Sequence, residues 1–253
     1  MVGFGVDNGL QLTIEGQRAV VAAERVFSIG LPEALRELLR SSRIPVTELD
    51  DRFEQGDDYA AAFVDVADFV LKQAALDPPV ALLVPGNPMF QNTLSRFLVQ
   101  TARQRGVPVQ VLPGISIIDA LISDIGLDVT AGGLQVFDAR QLLRKKWTIN
   151  PRVPVAVLGL GGLMLEAGVK TGLEESAGGK PPADPVPPAD DALSALATQL
   201  RRIYPDEHPV TLVRRTTGRG EISHSTTRLK QLAQLAQHVT LTSVLFIDVV
   251  RRS

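Results

Sequence analysis

The sequence predicts an α/β protein made of two α/β domains with a cofactor cleft between them. Three observations carry the prediction. Residues 80–84 (VALLV) and 107–112 (VPVQVL) are continuously apolar, as strands buried on both faces of a parallel sheet are. Each run ends abruptly in a Pro-Gly turn, Pro85-Gly86 and Pro113-Gly114. Each turn is followed by apolar residues at helical spacing. Strand, tight turn and helix in repetition mark a doubly wound sheet.

The other elements follow in order. Residues 1–6 (MVGFGV) read as a brief strand with two glycines. Residues 13–27 have helical spacing, with Thr13 as N-cap and Glu15 in the first turn. Residues 31–42 read as a shorter helix, and 57–76 as a long amphipathic one that stops before Asp77-Pro78-Pro79. Residues 93–106 form a helix with Gly106 as C-cap, and 116–126 form another. In the second half, 132–139, 153–160, 208–216 and 239–250 read as strands. Residues 192–205 read as a helix stopped by Pro205, and 226–238 as another helix. Residues 172–191, rich in Pro, Gly and acid, read as a mobile insertion, either without function or serving as a lid. The boundary is expected within 114–130, giving domains 1–118 and 119–253.

Composition narrows the function. A chain of 253 residues, 45% hydrophobic, can fill two small cores or one large one. A net charge of −2 gives no reason to expect a nucleic-acid partner. The one basic triplet, Arg144-Lys145-Lys146, reads as a solvated helix end rather than a phosphate site. The absence of cysteine excludes disulfides, thiolate metal sites and Cys nucleophiles, and fits an intracellular protein. No apolar run reaches the roughly 18–20 residues of a membrane span, and no signal peptide is read at the N-terminus. The expectation is a cytoplasmic protein without a membrane partner. His208, His224 and His238 lack metal-ligand spacing, so no metal is expected. Asp50-Asp51 and Asp57-Asp58 read as solvated acids. A Gly-x-Ser-x-Gly elbow and a Gly-Lys-Ser/Thr phosphate loop are both absent.

Three turns could carry chemistry. Gly3-Phe4-Gly5 looks like half of a dinucleotide fingerprint, but the third glycine is missing. Its glycines serve either close approach to a ligand or a generic strand-end turn. In Pro85-Gly86-Asn87-Pro88-Met89-Phe90, two prolines fix the turn and Asn87 offers a donor and an acceptor. Met89 and Phe90 either pack on a ligand ring or belong to the core. Pro113-Gly114-Ile115-Ser116 repeats the design, with Ser116 as helix cap or ligand contact. Two such turns on neighbouring strands form one crevice at a carboxyl edge, where open α/β sheets bind ligands.

Together these residues resemble the tetrapyrrole methylase family of S-adenosylmethionine-dependent methyltransferases. The resemblance runs through VGFGVDNGLQLT, VPGNPMF, VLPGISIIDALISDIGLD, YPDEHPVTLVRRTTGRGEIS and LTSVLFI. GGLQVFDARQLL and YPDEHPVTLV are most similar to two branches. One is the methylase-like domain fused to MazG-type nucleotide pyrophosphohydrolases; the other is the borosin peptide-backbone N-methyltransferases. The resemblance implies a bilobed homodimer with S-adenosylmethionine in the cleft between its domains. It implies cofactor contacts at Gly3, Gly5, Gly86, Asn87, Pro88, Met89, Phe90, Ser116 and Ile117. It adds Leu158, Gly159, Thr242 and Ser243 from the second half.

One departure bears on the acceptor. Borosin enzymes use a Tyr, Arg and Tyr set near the start of the long helix to orient and deprotonate an amide. Phe53, Tyr59 and Phe63 stand there in this chain. An amide nitrogen is barely nucleophilic, so the departure points to an amine, hydroxyl or heterocycle nitrogen. Tyr59 is the first candidate base with Arg52 beside it, ahead of Asp119, Asp138 and Arg140, and ion-pair roles are the alternative for the charged ones. The expected activity is methylation at N or O of a small molecule or peptide. The alternatives are a split borosin system, acting on a separate peptide, and a non-catalytic S-adenosylmethionine-binding module.

Overall fold

The protein is described by a computed structural model over residues 1–54, 59–145, 147–165, 189–215, 222–240 and 242–250. Its chain clusters into two compact units. The first comprises Met1–Ala120 among the described residues, and the second begins at Leu121.

The first unit runs β1 (Val2–Gly3), α1 (Ile14–Val21), β2 (Arg25–Ser28), α2 (Glu33–Ser41), β3 (Val46–Glu48), α3 (Asp51–Glu54), α4 (Tyr59–Leu76), β4 (Val80–Val84) and α5 (Thr93–Gln104). Its sheet has the order β1-β4-β2-β3 with every pair parallel. One face packs Val20, Leu35 and Leu39 over Val26 and Leu83. The other packs Val66, Leu71, Leu94 and Leu98 over Phe27 and Leu82. Burial on both faces is why VALLV carries no polar residue. Thr13 caps α1 by accepting from the Gly16 N–H at 3.0 Å, and Asn92 caps α5 by accepting from the Ser95 N–H at 2.9 Å.

Two expectations are corrected here. The helix expected over 13–27 stops at Val21, and 25–28 form β2. Val26 and Phe27 keep helical spacing in sequence, but a β-branched and an aromatic residue fit a buried central strand. The strand expected over 107–112 pairs with β1 at Leu112, through an isolated bridge to Val2. Pro108 has no N–H to give a longer ladder. The Met1 ammonium instead donates to the Gln110 carbonyl at 2.7 Å.

The second unit takes over within α6 (Ile117–Ile125) and continues with α7 (Val129–Gly132), β5 (Gln135–Asp138), α8 (Ala139–Lys145), β6 (Val155–Leu158), α9 (Leu160–Leu165), α10 (Ala189–Leu200), β7 (Pro209–Arg215), β8 (Ile222–Arg228), a 3₁₀ helix (Leu229–His238) and β9 (Val244–Ile247). The sheet order is β5-β6-β9-β7-β8; β5 and β6 are parallel and the other pairs antiparallel. Its core joins Leu142, Leu163, Leu196 and Leu200 to Val157, Leu212 and Leu245. The helix expected over 226–238 begins at Leu229 and is 3₁₀, because 226–228 close β8. Of the expected 172–191 insertion, residues 172–188 lie outside the described residues, and 189–191 open α10. No helix among the described residues is long and apolar enough to cross a membrane.

Tyr204 is buried beside His208, with ring centroids 4.9 Å apart, and its hydroxyl has no hydrogen-bond partner among the described residues. Burial pushes the hydroxyl pKa up to about 12. Tyr204→Phe removes that desolvated group and keeps the ring. It is expected to raise stability by roughly 1 kcal/mol, read as a higher denaturant midpoint.

Candidate functional site

The first sheet reverses its winding between β1 and β4. From β1 the chain crosses one face through α1 to β2, beyond β4. From β4 it crosses the other face through α5 to Leu112, beyond β1. At such a switch point the two following helices diverge and leave a crevice outside the carboxyl ends of the strands. The loops at this switch point are Gly3-Phe4-Gly5 at the end of β1 and Pro85-Gly86-Asn87-Pro88 after β4.

Backbone bonds close this junction. Gly3 N–H donates to Leu112 O (3.0 Å), Phe4 N–H to Val84 O (3.1 Å) and Gly86 N–H to Gly5 O (2.8 Å). A side chain on Gly3 would lie 2.3 Å from Gly86 O and 2.6 Å from Gly114 N. Packing of chain on chain therefore accounts for this glycine. Gly86 differs. Its φ is +63°, and a Cβ would have Val6 Cγ1 at 3.7 Å and Ile115 O at 3.9 Å. Its need for glycine is conformational, since a Cβ fits there in ordinary contact.

The rest of the turn is internally braced. The Asn87 side-chain oxygen accepts from Met89 N–H at 2.9 Å, and its carbonyl from Phe90 N–H at 3.0 Å. Pro88 is buried and Phe90 half-buried, whereas Met89 is 44% exposed. Leu10 and Ile115 are also exposed, on the loops that follow β1 and Leu112. Three loops at one sheet edge thus each present an apolar side chain to solvent. Buried Ser116 donates through both N–H and Oγ to Asp119 Oδ2, at 2.7 and 2.6 Å. Its polar groups serve the α6 cap, so a ligand contact there falls to the backbone around Ile117.

Asp50 departs from the expectation of a solvated acid. Its Oδ1 accepts from Gly30 N–H at 2.9 Å, and its Oδ2 is buried with no partner among the described residues. Arg52 Nη1 meets Asp65 Oδ2 at 2.6 Å, and the guanidinium lies 4.0 Å over the Phe69 ring. It ties α3 to α4. Tyr59 opens α4, but its side chain lies outside the described residues, as do Asp57 and Asp58. Phe53 and Phe63 pack edge to face at 5.8 Å against the core.

In the second unit, Leu158 and Gly159 end β6 beside Asp138 at the end of β5. Asp138 accepts from the Gln141 N–H at 3.0 Å, capping α8, where Arg140 lies. Because β9 runs antiparallel to β6, its start returns to this edge with Thr242 and Ser243. Ser243 is buried and accepts from Thr240 N–H at 2.7 Å, and Thr242 donates to Arg215 O at 3.1 Å. Both hydroxyls are thus committed within the unit. His208, buried, has Nε2 3.0 Å from Asp248 O. Sequence reading missed Asp50 and the winding reversal, and neither has a local signal.

The comparisons agree with this architecture. A methyltransferase/ribosomally synthesized type III borosin cyclic peptide precursor from Anomoporia bombycina is 24% identical over 161 residues, covering 64% of this chain and 19% of that protein. The lentinulin A methyltransferase/precursor of Lentinula edodes is 22% identical over 211 residues, 83% of this chain and 47% of its own. The chain thus spans less than half the length of either relative. The structure of uroporphyrin-III C-methyl transferase from Thermus thermophilus, complexed with S-adenyl homocysteine, superposes with a TM-score of 0.62 at 19% identity, covering 98% of this chain and 95% of that one. At that identity it shows a shared fold. Residues 1–233 match the tetrapyrrole (corrin/porphyrin) methylases, and the chain belongs to that family.

Proposed function

We propose that this chain is an S-adenosylmethionine-dependent methyltransferase acting at nitrogen or oxygen of a small molecule or peptide. The observation that carries the reading is the PGNPMF turn at the switch point of a parallel sheet, in a member of a methylase family. The residues there suit the cofactor. Exposed Leu10, Met89 and Ile115 offer apolar surface to an adenine ring. The cofactor supplies, when bound, a methyl group on a cationic sulfur. The chain binds it, orients it against the acceptor and keeps water out, which is worth roughly 7–11 kcal/mol at best. Leu158, Gly159, Thr242 and Ser243 are assigned to cofactor contact as well.

Tyr59 is the proposed base, and Arg52 is the second catalytic candidate of the same stretch. Tyr59→Phe is expected to slow methyl transfer by about 10²–10⁴-fold while leaving S-adenosylhomocysteine affinity unchanged. Comparing single-turnover rates with calorimetric Kd values checks this. A split borosin activity on a peptide backbone is the second reading, and the borosin relatives favour it. The Phe53–Phe63 packing speaks for a more nucleophilic acceptor, since neither ring can take a proton. The reading extends to a cytoplasmic homodimer, which sedimentation of the purified chain would check.

The deciding experiment is calorimetric titration with S-adenosylmethionine and, separately, S-adenosylhomocysteine. Failure to bind either sinks the reading. Binding opens a screen with labelled methyl donor against amines, alcohols and peptides. Binding without turnover, joined to capture of a protein partner, would favour the non-catalytic module.

A further inference from the structure

The second unit contains a buried ion pair that its fold alone does not explain. Arg215, the last residue of β7, grips Asp124 of α6 with both arms of its guanidinium. Nε donates to Oδ2 at 2.7 Å, and Nη2 donates to Oδ1. The side chains are only 11% and 3% exposed. Taking two charges out of water consumes most of what their attraction returns, so such a pair contributes little net stability. It contributes geometry instead, because the planar guanidinium fixes both distance and angle.

That geometry bears on one turn. The Arg215 carbonyl accepts from the Thr242 hydroxyl at 3.1 Å. The neighbouring Arg214 donates through Nη1 to the His238 carbonyl at 3.4 Å. The end of β7 therefore holds both His238 and Thr242. Within the turn, Ser243 N–H donates to Thr240 O at 3.1 Å, and the Thr240 and Ser243 hydroxyl oxygens lie 3.0 Å apart. Its hydroxyls shape the entry to β9, which lies at the edge where β5 and β6 end.

We propose that Asp124 and Arg215 are positioning residues for cofactor binding, which act by fixing Thr242 and Ser243 at the entry to β9. The inference rests on the reading above, in which Thr242 and Ser243 contact the cofactor. It separates two roles for the pair. A pair that merely supports the fold is replaceable by apolar side chains of similar volume. A positioning pair is not, because the apolar replacement fills the space without fixing the strand end.

The test is the double substitution Asp124→Leu/Arg215→Met, read by thermal melting and by calorimetric titration with S-adenosylhomocysteine. The expected result is a native-like melting midpoint with affinity weakened by about 10–100-fold. A second double variant, Asp124→Glu/Arg215→Lys, keeps both charges but loses the two-pronged geometry; it is expected to fold and to bind more weakly. Native affinity in either folded variant overturns the inference alone. Native protein that fails to bind S-adenosylhomocysteine overturns the proposed function, and this inference with it.

Discussion

Gly86→Trp is expected to abolish S-adenosylmethionine and S-adenosylhomocysteine binding, by about 100-fold or more, while the protein remains folded. The position is buried but accepts a Cβ, which would meet its nearest neighbours in ordinary contact at 3.7 and 3.9 Å. An indole placed there must extend past Val6 and Ile115 into the loops at the switch point. The left-handed backbone at φ +63° adds roughly 1–2 kcal/mol of strain for any side chain. Gly86→Ala carries the same strain without the bulk, so it separates the two effects. Its melting midpoint should fall as far as that of the Trp variant, with most of the affinity kept. Calorimetry on both proteins reads this directly. Undiminished binding in Gly86→Trp would place the cofactor elsewhere.

Gly3→Ala is expected to have the opposite profile, with a large loss of stability. The added methyl would sit 2.3 Å from Gly86 O, 2.6 Å from Gly114 N and 2.8 Å from Pro88 Cδ. Two of those atoms are backbone, and the third is a ring carbon in a buried proline. No rotamer relieves the overlap, so β1 and two turns must separate. The loss is expected at about 3 kcal/mol or more, against a total of roughly 5–15 for a folded domain. Denaturant unfolding measures it. A variant as stable as the native protein would show that the three-glycine junction is looser than its distances imply.

The two glycines look alike in sequence, and each was assigned to the cofactor on the same footing. Their difference is tertiary. Gly3 is fixed by the backbone of two turns more than 80 residues along the chain, whereas Gly86 is fixed by its own torsion. Arg52 makes the same point. Sequence places it as a charge near the long helix, and the structure gives its neighbours as Asp65 and Phe69, about two and three turns into α4. Asp50 was the converse. Nothing in LDDRF distinguishes it from Asp51, and only the tertiary structure brings the Gly30 N–H to one of its oxygens and buries the other.

The sequence by itself determined the α/β class, the helices within 57–76 and 93–106, the Thr13 cap, the strand VALLV, a strand within 153–160, and the two Pro-Gly turns. Each of these is written locally, in apolar period, in side-chain oxygens that meet nearby amides, or in residues that restrict φ. Only the tertiary structure decided that 25–28 and 222–228 are strands, that β1 and β4 are neighbours, and that Arg215 meets Asp124. These depend on partners distant in the chain. A short strand gains its stability from the ladder and the faces that cover it, and a buried charge is tolerated only where its counter-charge arrives.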